Sequence, residues 1–295
     1  WERYIDEPFR HQAPSTVANP DIPVDIRLEF AGRTFTRTNI HDDASRHTYL
    51  MRRQKVAPKY ADMAARGFDP VSQIKAMDIE GIDVAVLFPT KGLLVPWVDS
   101  IDPSLAMAVC RAYNDWVAEF FNAIPSRLKG IAMLNVDDVA VGVTELERCA
   151  KLGFVGAMIP VQPISSQPYD EPIYEPLWAA AQDLGMPISM HAATIRSEPG
   201  NSLENQGFSR PSYICNMEHA VRLSLGDVIF AGVFERFPKL QLGSVEMELG
   251  WAPHFLNRLD YTYSQRGPGS AKRFRLKDDA LPSDYFRTNV FLGFQ

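Results

Sequence analysis

The sequence lacks the features of a disulfide-stapled, membrane-spanning or nucleic-acid-binding protein. Its 3 cysteines, Cys110, Cys149 and Cys215, are odd in number and widely spaced, and they show neither a disulfide framework nor a metal-ligand spacing. No apolar stretch approaches the ~18 residues that a membrane helix needs, and no signal-peptide pattern opens the chain. A net charge of −6 leaves no basic surplus to neutralise phosphates. We therefore expect a cytoplasmic protein without nucleic-acid or membrane partners.

Several catalytic motifs are also missing. The chain contains no G-x-G-x-x-G and no G-x-x-x-x-G-K-[ST], so a Rossmann-type oxidoreductase that binds NAD has no support from a glycine fingerprint. Ser244, in "LGSVE", lacks the G-x-S-x-G elbow of a nucleophilic serine. No cysteine has an activating neighbour in sequence. These absences exclude the simplest nucleotide-binding and nucleophilic enzymes.

What is present is a set of short apolar runs in a chain of 295 residues that is 46% hydrophobic. The runs are apolar throughout rather than alternating, which is typical of parallel strands covered by helices on both faces. They are residues 82–88, 129–136, 154–161, 187–192, 240–247 and 289–294.

The segments between these runs predict helices. One begins at a cap, Asp102, followed by Pro103 at the first helical position, and two others end at Gly153 and Gly185. This alternation of strands and helices predicts an α/β fold with right-handed crossovers, either a barrel or an open sheet. Residues 1–70 are expected to be a loop-rich arm because prolines interrupt them, with a short helix over 39–51.

Ligands in such folds bind at the carboxyl ends of the strands. Polar residues at or after the ends of the runs would line a pocket there, although polar residues also follow ordinary strands that leave the core. Both interpretations remain open for the set, which is Thr90, Asn135, Gln162, His191, Glu246, Glu248 and Gln295.

Two of these residues are the candidate site residues. His191 follows an apolar run and precedes small residues that leave space beside its ring, and neutral imidazole is a common transition-metal ligand. The alternative is a buried histidine hydrogen-bonded to a carbonyl. A carboxylate at the tip of a core strand, as at Glu246, is costly unless it is paired, metal-bound or hydrated, and a salt bridge to an arginine is its alternative. These two residues alone do not complete a catalytic metal site, which normally takes three protein ligands.

The remaining histidines do not complete the site by sequence. Three lie in the loop-rich arm, and two lie on predicted helices, where surface or capping positions are expected. They are His11, His41, His47, His219 and His254.

Six segments carry a family pattern in order over nearly the whole chain: "WERYIDEP" at the start, "GIDVAVLFP", "RAYNDWVAEF", "PLWAAAQDLGMPISMH", "GVFERFPKLQLGSVEMELGWAPHFLNRLD" and "PSDYFRTNVFLGF". Together they resemble the amidohydrolase-related family. This is the branch of the metal-dependent amidohydrolase superfamily that includes aminocarboxymuconate-semialdehyde decarboxylase and the resorcylate-type decarboxylases. The most specific parts are the fifth segment and the strand ending in His191.

The resemblance implies a single TIM-barrel domain, (β/α)8, over residues 1–295, with a divalent metal at its carboxyl face. Zinc is expected first and manganese second. In the family the ligands are a D-x-H or H-x-H pair on the first strand, a histidine on the fifth, which His191 matches, and an aspartate on the eighth. The six runs would then be strands two to seven, with the first and eighth missing. We expect such a fragment to be inactive alone.

The chain departs from the family at the sixth strand, where many members carry a histidine and this sequence has Glu246. The substitution favours a metal-dependent hydrolase acting on a small carboxylated or cyclic substrate, with Glu246 as acid/base or metal-supporting group. The alternatives are a non-oxidative decarboxylase of the same family and a barrel that binds a ligand without turnover. A homo-oligomer is expected, since a loop-rich arm often covers a neighbour.

Overall fold

The fold is taken from a computed structural model that describes residues 1–19, 22–35, 57–98, 101–194, 196, 215–266, 276–277 and 279–294. The predicted helix over 39–51 lies outside these residues. No helix in the described ranges is long and apolar enough to cross a membrane.

The first part of the chain contains an antiparallel sheet where the sequence analysis expects loops. Its strands are β1 (Ser15–Asn19), β2 (Ile22–Phe30) and β3 (Arg33–Phe35), in that order. Ala31 and Gly32 connect β2 to β3 with φ of 50° and 72°, the left-handed pair that a tight two-residue hairpin needs. Leu28 and Phe30 are buried on the inner face of β2. The prediction of loop was therefore wrong for residues 15–19 and 22–35.

A parallel sheet forms the centre of the molecule, and its strands follow one another in chain order. They are β4 (Ala85–Leu87), β5 (Leu128–Met133), β6 (Gly156–Ile159), β7 (Ile188–His191), β8 (Leu242–Val245) and β9 (Val290–Leu292). Five of them lie within a predicted run, and β5 begins one residue before its run, at Leu128, so the predicted α/β fold is confirmed. The prediction that a first and an eighth strand lie outside the given sequence stays a prediction.

Helices connect and cover these strands. Among the described residues they are α1 (Ala61–Ala65), α2 (Pro70–Glu80), α3 (Pro103–Asn122), α4 (Val139–Leu152), α5 (Glu175–Leu184), α6 (Glu218–Phe230), α7 (Val233–Arg236), α8 (Ala252–Arg266) and α9 (Pro282–Asn289). Short 3₁₀ turns lie at Glu7–Gln12, Pro58–Tyr60, Lys91–Leu94, Pro172–Tyr174 and Ala192–Thr194.

The helix boundaries lie where local chemistry predicts them. Asp102 accepts hydrogen bonds from the backbone N–H groups of Ser104 and Leu105, at 2.9 and 3.2 Å, so it satisfies donors at the start of α3. Gly153 and Gly185 end α4 and α5 in the left-handed conformation, with φ of 94° and 62°. The predicted caps are confirmed.

The core lies between the sheet and its helices, and two cysteines belong to it. Cys110 on α3 and Cys149 on α4 are fully buried, whereas Cys215 is exposed. Burial raises the pKa of both buried thiols well above the usual value, because a thiolate would lose its hydration there. These two side chains therefore act as small apolar residues in the core.

Candidate active site

His191 is the last residue of β7, a strand that lies between β6 and β8. Its side chain is buried, with 5% of its surface exposed. Parallel pairing places His191 opposite Val245, the last residue of β8. Because the carboxyl ends of parallel strands meet at one edge, the residue that follows Val245 comes close to the imidazole.

That residue is Glu246, and its carboxylate faces the imidazole of His191, the predicted metal ligand. Its Oε2 lies 3.3 Å from Nε2 of His191, and 47% of its side chain is exposed. Glu246 has a φ of 58°, in the left-handed region that residues with side chains seldom adopt. The structure thus brings the two predicted site residues together across the ends of β7 and β8.

A threonine fixes the backbone at the end of β7. Thr194 is fully buried, and its Oγ1 donates to the carbonyl of His191 at 2.7 Å. The same oxygen accepts from the backbone N–H of Val161, at 2.8 Å, just beyond β6. One hydroxyl therefore joins the ends of two neighbouring strands and holds the backbone that carries the imidazole.

Electrostatics favour a neutral imidazole. Burial lowers the pKa of His191 below its usual value, and the charge and hydrogen bond of Glu246 partly oppose this effect. A neutral ring keeps a nitrogen lone pair, the form that binds metals. The ring of Phe88, after β4, lies beside it at a centroid distance of 6.0 Å. One side of the imidazole is therefore apolar and the other faces a carboxylate.

The chemical types of these two side chains suit a divalent metal, but two protein groups are too few to hold one. An imidazole nitrogen and a carboxylate oxygen both bind such ions. In the described part of the chain, however, no group of three or more His, Cys, Asp or Glu side chains is placed to hold one. The described residues therefore supply one imidazole and one carboxylate here, which are fewer groups than a metal site needs.

Other strand-end residues form a second polar cluster. Asn135, buried after β5, donates to the carbonyl of Pro96 at 3.0 Å and accepts from the backbone N–H of Asp137 at 3.0 Å. Asp137 in turn forms an ion pair with Arg196, whose side chain is 5% exposed. Asn135 is among the residues predicted from the sequence to line a pocket, whereas Asp137 and Arg196 are not. The one feature of the sequence that could have pointed to Arg196 as a site residue is its position five residues beyond His191.

The remaining candidates do not join the pair. Thr90 and Glu248 are exposed, Gln162 is half-buried, and Gln295 lies outside the described residues. The histidines His11, His219 and His254 are exposed, as expected for His219 and His254, while His41 and His47 lie outside the described ranges.

A cavity of about 330 Å³ lies next to the candidate site. Five of its lining residues are aromatic, and one of them, Phe88, has its ring centroid 6.0 Å from that of His191. Its lining residues include Trp1, Tyr4, Phe88, Thr90, Tyr113 and Trp116. A volume of this size is in the range of pockets that bind small organic molecules.

A parallel sheet flanked by helices, with a buried imidazole at the carboxyl ends of its strands, defines the α/β class of enzymes whose sites lie at that edge. The sequence profile of the amidohydrolase family matches residues 24–282. The chain therefore belongs to the amidohydrolase family, within the metal-dependent amidohydrolase superfamily of enzymes. The predicted family membership is confirmed.

Relatives in sequence are decarboxylases. A gamma-resorcylate decarboxylase of Polaromonas sp. (strain JS666) is 30% identical over 233 residues, which cover 75% of this chain and 67% of the relative. A 2-amino-3-carboxymuconate-6-semialdehyde decarboxylase of Dictyostelium discoideum is 24% identical, over 67% of this chain and 55% of the relative. The chain thus spans between about half and two thirds of the length of these curated relatives.

Solved structures agree with the fold. A dihydroxybenzoic acid decarboxylase from Polaromonas sp. JS666, with bound manganese and the inhibitor 2-nitroresorcinol, has a TM-score of 0.61 and 25% identity over 75% of this chain and 66% of that one. An amidohydrolase from Mycobacterium avium subsp. paratuberculosis K-10 has a TM-score of 0.72 over 99% of this chain and 79% of that one. Its identity is 19%, so it supports the fold alone.

Proposed function

We propose that the protein is a metal-dependent, non-oxidative decarboxylase of small hydroxylated aromatic acids. The observation that carries this proposal is the pair formed by the buried imidazole of His191 and the half-exposed carboxylate of Glu246, at 3.3 Å. The expected hydrolase is less well supported, because the named relatives are decarboxylases. The presence of Glu246 at the position where many family members carry a histidine therefore does not by itself favour hydrolysis over decarboxylation.

The reaction needs a proton at one carbon. The bond between the ring carbon and the carboxylate breaks, its electron pair stays on the ring carbon, carbon dioxide leaves, and a proton takes its place. Glu246 suits this transfer because one side of its carboxylate faces the site while nearly half of the side chain contacts solvent. It would take a proton from water and give it to the ring carbon.

His191 would hold the metal, and a bound divalent ion would polarise a carboxylate or phenolic oxygen of the substrate. The neutral imidazole, fixed by Thr194 through its backbone, presents its lone pair in one direction. Manganese is bound in solved relatives at 25% identity, which makes it a candidate beside zinc. We further propose that the described sheet is part of an eight-stranded barrel whose other strands supply the remaining ligands.

The test uses the full-length protein loaded with manganese or zinc. Incubation with 2,6-dihydroxybenzoate should release carbon dioxide and resorcinol, measured by chromatography, and a panel of lactones, esters and amides should remain unchanged. His191→Ala should lose bound metal and reduce kcat/KM by roughly 1000-fold, and Glu246→Gln should reduce kcat by about 100-fold.

His219→Ala is the matched control, because His219 lies exposed on α6 and should leave metal content and rate unchanged. Full metal occupancy in His191→Ala would contradict the assigned ligand. Hydrolysis of a lactone, ester or amide with no release of carbon dioxide would instead identify the protein as a hydrolase. Tight binding of the aromatic acid without turnover would favour a ligand-binding barrel.

A further inference from the structure

The turn after β8 has an unusual backbone. Glu246 and Glu248 have φ of 58° and 57°, both in the left-handed region, although neither is glycine. A side chain is strained there by contact between its Cβ and the backbone, so such residues persist only where their surroundings hold them. Between them, Met247 is buried at 2% exposure and anchors the turn in the core.

Trp251 holds this turn from the start of α8. Its indole Nε1 donates to the carbonyl of Met247 at 2.8 Å and to the carbonyl of Glu248 at 3.0 Å. A single N–H therefore pins two consecutive carbonyls of the strained segment. Trp251 is 8% exposed, so its indole is largely sheltered from water.

The indole itself is fixed by two aromatic neighbours. Phe255 on α8 lies at a centroid distance of 5.6 Å and Phe286 on α9 at 6.0 Å, with interplanar angles of 62° and 90°. Edge-to-face contacts of this kind favour one ring orientation. The donor therefore has little freedom to follow the turn if the turn relaxes.

We propose that Trp251 is a positioning residue, which holds residues 246–248 in the strained conformation that directs the Glu246 carboxylate at Nε2 of His191. Without the indole N–H, the turn would relax toward ordinary backbone angles and carry the carboxylate away from the imidazole. The geometric part of this proposal stands alone. Its effect on turnover rests on the proposed function.

The geometric part is tested by thermal unfolding of the full-length protein. Glu246→Gly removes the strain and should raise Tm by about 2 °C in the parent. In Trp251→Phe, which keeps an aromatic ring and loses the donor, the same glycine should bring no gain. An equal gain in both backgrounds would overturn the proposal, whatever the activity of the enzyme.

A second variant guards against misfolding of Trp251→Phe. Benzothienylalanine at position 251 keeps the shape of the indole and replaces only its N–H by sulfur. It should abolish the gain from Glu246→Gly in the same way. His254→Ala is the matched control, because His254 is exposed on the same helix and its removal leaves the indole and its two ring contacts in place, so the gain should persist.

Measurements of kcat and KM distinguish a positioning role of Trp251 from a general loss of structure. Trp251→Phe should lower kcat by roughly 10- to 100-fold with KM nearly unchanged, as a misdirected proton donor would. In a Glu246→Gln background the same substitution should have no further effect on kcat. Multiplying losses in the double variant would show that Trp251 acts elsewhere. If the parent has no decarboxylase activity, the proposed function fails while the Tm arm still decides the geometry.

Discussion

Two glutamates show how this fold treats a carboxylate in opposite ways. Glu145 on α4 is 3% exposed and lies between helices and sheet. Its oxygens accept from Asn114 at 2.7 Å, and from Nε and Nη2 of Arg148, each at 2.8 Å. Glu246, at the strand ends, is half-exposed and faces one ring nitrogen at 3.3 Å. The first carboxylate has its hydrogen-bonding capacity filled by protein, and the second keeps capacity for solvent or a ligand.

The difference is between a carboxylate that stabilises the fold and one for which we propose a role in the reaction. The network of Glu145 also fixes β5, because Asn114 donates to the carbonyl of Met133 at 3.0 Å and accepts from its N–H at 2.8 Å. A carboxylate so fully paired stabilises the fold. Glu246 keeps nearly half of its side chain exposed to solvent, as the proton transfer that we propose for it requires.

The strongest test of this comparison is removal of the buried carboxylate. Glu145→Ala should lower the free energy of unfolding by about 3 kcal/mol, because Arg148 and Asn114 lose their shared acceptor. Urea denaturation measures the loss, and kcat per folded molecule should stay near the parent value. Glu246→Ala is the counterpart and should change stability by less than about 1 kcal/mol. Equal destabilisation by the two variants would remove the distinction.

A smaller effect is expected from the hydroxyl that supports the site. Thr194→Val keeps the side-chain shape but leaves the N–H of Val161 and the carbonyl of His191 without this partner. We expect a loss of about 2 kcal/mol in unfolding free energy, together with weaker manganese binding by titration calorimetry. Thr194→Ser keeps the hydroxyl and should retain metal affinity. Normal affinity in the valine variant would show that the imidazole does not depend on this bond.

The smallest predicted effect concerns Glu248, which lies in the same turn as Glu246. Glu248 shares the left-handed φ of Glu246, and its side chain is exposed. Glu248→Gly should therefore stabilise the protein by roughly 0.5 kcal/mol, since glycine tolerates that conformation. Its kcat should equal that of the parent, unlike that of Glu246→Gly. A loss of activity would mean that the second carboxylate also takes part.

The fold could be predicted where signals are local. Asp102 with Pro103 marks the start of α3, Gly153 marks the end of α4, and both act within one helical turn. The hairpin of β2 and β3 was missed because Pro20 and Pro23 were interpreted as breakers. The alternation of Val24, Ile26, Leu28 and Phe30 in "VDIRLEF" carried the opposite signal. Pro23 lies near the start of β2, where a missing donor costs little.

The site could be predicted only in part. His191 ends one recognisable strand and Glu246 follows another, and their approach results from the adjacency of β7 and β8. The ion pair of Asp137 and Arg196 joins residues 59 positions apart, which no local pattern links. The left-handed φ of Glu246 was equally hidden, because glutamate carries no signature for that conformation. The hydrogen bonds of Trp251 decide it, and the indole that makes them is held in turn by a tertiary contact with Phe286.

The unequal burial of the three cysteines has a practical consequence. Cys110 and Cys149 are sealed in the core and remain protonated, while Cys215 is open to reagents just before α6. Of these three cysteines, Cys215 alone will therefore react with a maleimide dye or nitroxide while the protein is folded. Cys215 thus offers a handle for fluorescence or magnetic-resonance labelling next to α6.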